Sequence, residues 1–152
     1  MGRRKRKKEA EIYNEMAGYV ENKDFFETDL DHIFGEDEGC FFIIDDVRRV
    51  TKYYDNKGHG RFREMYRGTL YITNKKLWLK LYRETNSIMV LVPITDILEI
   101  YKSKRFDDNL TDIYVLKLRI SKSKEDDILL EMDDEMDAYK AMICIEEAQK
   151  YL

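Results

Sequence analysis

Cysteine, histidine and long apolar runs are scarce in this 152-residue chain, and each shortage excludes a class of chemistry. Only Cys40 and Cys144 are present, both among apolar neighbours, with no C-x-x-C and no histidine at metal-ligand spacing. That excludes a disulfide framework and a thiolate zinc site, and points to two buried free thiols in a reducing compartment. No stretch approaches the ~18 consecutive apolar residues of a membrane-spanning helix, and no apolar segment follows the basic start as a secretory signal would require. A cytoplasmic protein, with a peripheral membrane association through its basic residues left open, is the expectation. His32 and His59 lie in an acidic and a glycine-rich stretch, with no serine or cysteine nucleophile motif beside them and no phosphate-cradling G-x-x-x-x-G-K-[ST] anywhere. No catalytic residue is assigned and no enzyme is expected. The acids Asp29, Asp31, Glu36, Asp37 and Glu38 around His32 do not form a calcium loop: Phe34 stands where an EF-hand needs glycine, and Cys40 where it needs its last glutamate. Neither a metal nor a cofactor is expected.

The residues that are plentiful argue for a packed core. Hydrophobic residues make up 43% of the chain and aromatics 12%, too many for disorder although 38% of residues are charged. A single domain of about 150 residues buries roughly 70% of its unfolded surface without staples. The net charge of −4 conceals segregation. Residues 1–20 carry six basic and three acidic side chains, 21–46 one and ten, 47–86 eleven and three, 87–124 seven and five, and 125–152 two and ten. Blocks of opposite sign can pair within one fold, or the basic block 47–86 can meet an anionic ligand.

Periodicity divides the chain near residue 40. From Glu9 to Val20 the residues Ile12, Tyr13, Met16, Ala17 and Val20 recur at helical spacing behind a basic run, and 21–39 reads as an acidic connector of partial order. From Phe41 onward, short β-branched and aromatic runs alternate with turn chemistry. Strands are expected within Phe41–Tyr54 and over Tyr66–Thr73, Lys76–Tyr82, Ile88–Val92, Ile97–Lys102, Ile113–Ser121 and Ile128–Met132. The clearest is the third, where Leu77, Leu79 and Leu81 alternate with Lys76, Trp78, Lys80 and Tyr82. Helical spacing returns from Ala138, with Ala141, Met142, Cys144, Ile145, Ala148 and Leu152 on one arc and Lys140, Glu146, Glu147 and Lys150 opposite. Asp133 or Asp134 can cap that helix.

Seven antiparallel strands followed by one amphipathic helix is the element order of the PH superfold, a bent sheet or partly open barrel capped by its C-terminal helix. The segment Gly68-Thr69-Leu70-Tyr71-Ile72-Thr73-Asn74-Lys75-Lys76-Leu77-Trp78, with Val92-Pro93-Ile94-Thr95-Asp96-Ile97 after it, resembles the G-x-L-x-x-T-x-x-R-L pattern of GRAM and GLUE domains. Lys76 stands where those families usually carry arginine. The resemblance spans 41–152, so residues 1–40 form an addition comprising a basic tail, an amphipathic helix and an acidic connector. It implies an α+β, mainly β fold and a recruiting module: one that binds anionic phospholipid headgroups, as many PH and GRAM domains do, or a phosphoinositide and ubiquitin, as GLUE domains of the ESCRT machinery do. Fold alone does not settle which.

Three surfaces are candidates. Lys52, Arg61 and Arg63 flank a glycine-rich first hairpin loop with a spacing similar to the basic signature of phosphoinositide-binding PH domains, with Lys57, Arg48, Arg49 and His59 nearby. Lysine supplies a point charge and arginine a bidentate fork for phosphate; the bland alternative is an ordinary solvated strand face. The run Arg3, Arg4, Lys5, Arg6, Lys7 and Lys8 is either a solvated tail or an anchor for an acidic membrane, with nucleic acid a less favoured partner. Met136, Tyr139 and Ile143 lie opposite the core arc of the last helix and need cover, either from Ile12, Met16 and Val20 or from a protein partner such as ubiquitin or a complex subunit.

Overall fold

The computed structural model describes residues 2–54, 61–123 and 126–152. Helix α1 spans Gly2–Glu21; strands follow at Cys40–Tyr54 (β1), Arg61–Thr73 (β2), Lys76–Arg83 (β3), Asn86–Pro93 (β4), Glu99–Phe106 (β5), Asp112–Arg119 (β6) and Ile128–Met132 (β7), and helix α2 closes the chain at Glu135–Gln149. The strands form one antiparallel sheet in the order β4-β3-β2-β1-β7-β6-β5, so β4 and β5 are its edges and the sheet does not close.

Two local features give the sheet its shape. The β1–β2 register breaks between Ile44 and Val47, inserting an extra residue into β1. Such a bulge bends a strand, and beyond it Arg48, Arg49 and Val50 pair with β2 on one side and with Glu131, Leu130 and Leu129 of β7 on the other. At Gly68, which faces Val47 and Leu81, an added Cβ would lie 1.9 Å from the Lys80 carbonyl oxygen. Only glycine lets β2 approach β3 this closely.

The concave face is lined by Leu70, Ile72, Leu77, Leu79, Leu116 and Leu118, all sealed from solvent by the small residues Ala138, Ala141 and Ala148 of α2 and their neighbours. The Asp134 carboxylate accepts the Met136 N–H at 2.8 Å at the start of α2, with Glu135 and Asp137 suiting the positive end of the helix dipole. Helix α1 packs outside α2, and Ile12, Met16 and Val20 join the same core. Thus α2 is covered on two sides. Ile143 and Glu147, placed on its outer face by helical spacing, are buried, whereas Leu152, expected in the core, is 55% exposed beyond the helix end. Glu147 accepts hydrogen bonds from the Tyr13 hydroxyl and, at 2.8 Å, from Lys150. Burial pushes its carboxyl up, but Lys150 and Tyr13 outweigh that and hold it below the ordinary value.

The opposite face of β1–β3 has a second, smaller core. Tyr71 and Trp78, on the polar side of the alternation, are buried with Leu30 and Cys40 and backed by Phe34 and Ile43. The connector therefore packs as a cover, bridging to the sheet from Phe26 to Cys40 and from Asn74 to Gly39. Residues before 41 thus contribute to both cores.

The strand limits also differ from expectation. Strand β2 begins five residues earlier than the turn signals suggested, and β5 runs Glu99–Phe106 instead of Ile97–Lys102. Ile94 and Ile97 are buried in a single 3-10 turn, closed by the Ile97 N–H on the Ile94 carbonyl, so their apolar character reflects a packed corner and not a strand.

Candidate binding groove at the open end of the sheet

Because the sheet does not close, its interior opens between the β4 edge and the β6–β7 end as a groove of about 950 Å³. Val50, Val90, Val92, Ile120 and Ile128 supply apolar walls. Arg49 and Lys117 bring positive charge; Asp96, Asp126 and Asp127 bring negative charge. Lys117 reaches Asp127 at 3.6 Å, and the Asp127 side chain is only 6% exposed. Its Oδ1 has no hydrogen-bond partner among the described residues, a state that costs about 1–3 kcal/mol or more for a charged group. A smaller cavity of about 300 Å³ lies between Val20, Phe41, Ala148 and the C-terminal Leu152.

The basic block 47–86 divides into committed and uncommitted cations. Arg48, offered by the sequence as a contributor to an anion site, is buried and held by Asp133 at 2.7 Å and Asp46 at 3.6 Å, so it is unavailable. Arg67 meets Asp46, Lys80 meets Asp29, Arg83 meets Glu64 at 2.7 Å, and Lys75 donates to the Glu36 carbonyl. Lys76 sits 5.2 Å over the Trp78 ring. Of the connector's acids, Asp29 pairs with a cation of the sheet beneath it, Lys80. Arg49, half-buried on the groove wall, has no ionic partner among the described residues. The β1–β2 ladder continues past it, pairing Lys52 with Arg63 and Tyr54 with Arg61. The side chains of Lys52, Arg61 and Arg63, and Lys57 and His59 altogether, lie outside the described residues.

The other candidates are placed as follows. The basic run is helical, continuing α1 without a break; Arg6, Lys7 and Lys8 are exposed, and the side chains of Arg3, Arg4 and Lys5 lie outside the description. Met136 and Tyr139 are half-buried against the main core, and the Tyr139 hydroxyl is 3.5 Å from the Glu9 carbonyl of α1. With Ile143 2% exposed, a partner docking there would first have to displace cover that the fold itself supplies.

Burial raises the Cys40 thiol to about 11 and the Cys144 thiol to about 12, so neither is a nucleophile at neutral pH. Among the described residues no cluster of histidine, cysteine and carboxylate groups could hold a metal ion, and no helix is long and apolar enough to cross a membrane.

No protein-family model and no curated protein sequence matches the chain. A solved structure, the Vps36 N-terminal PH domain, does match, with a TM-score of 0.53 at 13% identity over 78% of this chain and 84% of that one. The fold is PH-like. At that identity the likeness carries the seven-stranded sheet and its capping helix, and nothing about the ligand. The groove was not legible from sequence because its walls come from β1, β4, β6 and β7, and no local pattern signals a surface assembled from four distant segments.

Proposed function

We propose that this chain is a non-enzymatic PH-like binding module of GRAM or GLUE type, recruiting its protein to an anionic phospholipid surface on the cytoplasmic side through the first hairpin. The observation that supports this reading is the distribution of cations. Five basic side chains of the 47–86 block are held by acids or carbonyls elsewhere in the fold, whereas Arg49 faces the groove without an ionic partner among the described residues. Lys52, Lys57, Arg61 and Arg63 follow it along the same hairpin. Clustered cations of this kind attract an anionic leaflet by about 1 kcal/mol each near the surface.

The test is co-sedimentation of the full chain with phosphatidylserine-containing and purely phosphatidylcholine vesicles at low and moderate salt. Binding to the anionic vesicles alone, weakening with salt, is expected. Changing Lys52, Arg61 and Arg63 together to alanine should weaken it on the order of 100-fold, the equivalent of about 3 kcal/mol, while replacing Arg3 to Lys8 by glutamine should matter less. Loss of binding only in the tail variant, or no preference for anionic vesicles, would overturn the reading. In the second case a protein partner, ubiquitin among them, becomes the ligand to pursue.

A further inference from the structure

The two edges of the sheet are built differently. Strand β5 carries four charged residues in eight, Glu99, Lys102, Lys104 and Arg105, the usual protection of an edge against pairing with another chain. Strand β4, Asn86–Pro93, carries none. It pairs with β3 along its whole length, and among the described residues no strand lies on its other side. Ile88, Met89 and Leu91 are 37%, 40% and 46% exposed, so apolar side chains reach solvent on both faces of the strand. Only Pro93, at its end, lacks the backbone N–H needed to extend a ladder.

We propose that β4 is a docking edge for an extended segment of a partner protein that carries a lysine or arginine. The segment would add as an eighth strand, using the backbone groups β4 leaves unpaired, with small apolar side chains against Val90 and Val92. Its cation would enter the groove beside β4 and donate to Asp127. The unsatisfied oxygen selects this occupant. The groove beside Val90, Leu91 and Val92 carries Asp96, Asp126 and Asp127 against Arg49 and Lys117; Lys117 approaches only Oδ2 of Asp127, at 3.6 Å, and the buried Oδ1 lacks a donor among the described residues. A second copy pairing through its own β4 would bring no cation and leave that oxygen unsatisfied. An anionic phosphate group would bring that oxygen no donor. The groove beside this edge is shared with Arg49 and Thr51, but the test needs no lipid, so its failure is distinguishable from failure of the hairpin reading.

The probe is a fluorescently labelled seven-residue peptide alternating valine and threonine around a central lysine, with a twin carrying glutamate in its place, titrated with the full chain in lipid-free buffer. The lysine peptide should bind at least 10-fold more tightly than its twin, and Asp127→Asn should erase most of that difference. Leu91→Lys, a change at an exposed position that leaves the β3–β4 ladder intact, should abolish binding of the lysine peptide while circular dichroism stays unchanged. Equal binding of both peptides, binding of neither, or a dimer in sedimentation velocity that Leu91→Lys dissolves would each overturn the proposal, the last by making a second copy the occupant.

Discussion

The two faces of the β1–β3 layer solve the same burial problem with different chemistry. The inner face presents aliphatic side chains, Leu70, Ile72, Leu77, Leu79 and Leu81, to helices that are themselves apolar there. The outer face presents Tyr71 and Trp78, whose polar tips need partners once covered. The connector supplies them. Asp29 accepts the Tyr71 hydroxyl at 2.7 Å, and Glu38 accepts the Trp78 indole N–H at 2.9 Å with the Thr73 hydroxyl 2.6 Å from the same oxygen. Phe34 lies against the Trp78 ring, and Phe25 packs so closely over Gly39 that a Cβ there would fall 2.2 Å from it. The inner face is held by burial alone, and the outer face by burial together with directed hydrogen bonds from a segment that has almost no regular structure.

Substitution can break each face separately. The largest effect is expected from Leu79→Ala, fully buried in the main core, at about 3–4 kcal/mol in urea unfolding. Next comes Glu38→Ala, which strips acceptors from Trp78 and Thr73 and should cost about 1–3 kcal/mol. Phe34→Ala should cost less, because Phe34 is only half-buried, yet it should raise the quenching of Trp78 fluorescence by acrylamide. As Trp78 is the chain's one tryptophan, its emission reports the outer face alone. The account predicts that its urea transition coincides with that of circular dichroism; an earlier fluorescence transition would mean that the connector is a separately melting flap.

The smallest effect sharpens the contrast through pH. The Tyr71 hydroxyl, and then Lys80, hold Asp29 below its ordinary value; at Glu38 burial pushes upward, but Thr73, Trp78 and the Gly35 N–H prevail and the net shift is also downward. A carboxyl depressed in the folded state contributes stability above its unfolded value, near pH 4, that is lost as pH falls through the folded value. Stability should therefore decline below about pH 4, and part of that slope should vanish in Glu38→Gln. The Leu79→Ala deficit should hold constant over the same range.

The same contrast decides what could be read from the residues. Strict alternation at Leu77, Leu79 and Leu81 announces the inner face, and β7 falls at Ile128–Met132 as the pattern indicates. Nothing local indicates that Trp78 is buried as well, because its cover lies some 40 positions earlier in a stretch rich in acids and poor in periodicity. Those acids read as part of a connector of partial order; two of them, Asp29 and Glu38, accept hydrogen bonds from the sheet. Helix α1 reaches Gly2 because the arginines and lysines of the basic run are good helix formers extending an anchored turn, which hydrophobic spacing alone does not reveal. The two-sided burial of α2 had the same cause, since Ile143 and Glu147 face a helix remote in sequence.

The proposed hairpin contact rests on Arg49, which has no ionic partner among the described residues, and on the cations that follow it in sequence. The most direct test is a titration of the isotope-labelled full chain with bicelles carrying an anionic phospholipid, followed by backbone amide shifts. The account predicts changes centred on Arg49, Thr51 and the paired residues of the β1–β2 hairpin, fading between low and moderate salt. Changes confined to the start of α1 or to the β4 edge, or none at all, would contradict it.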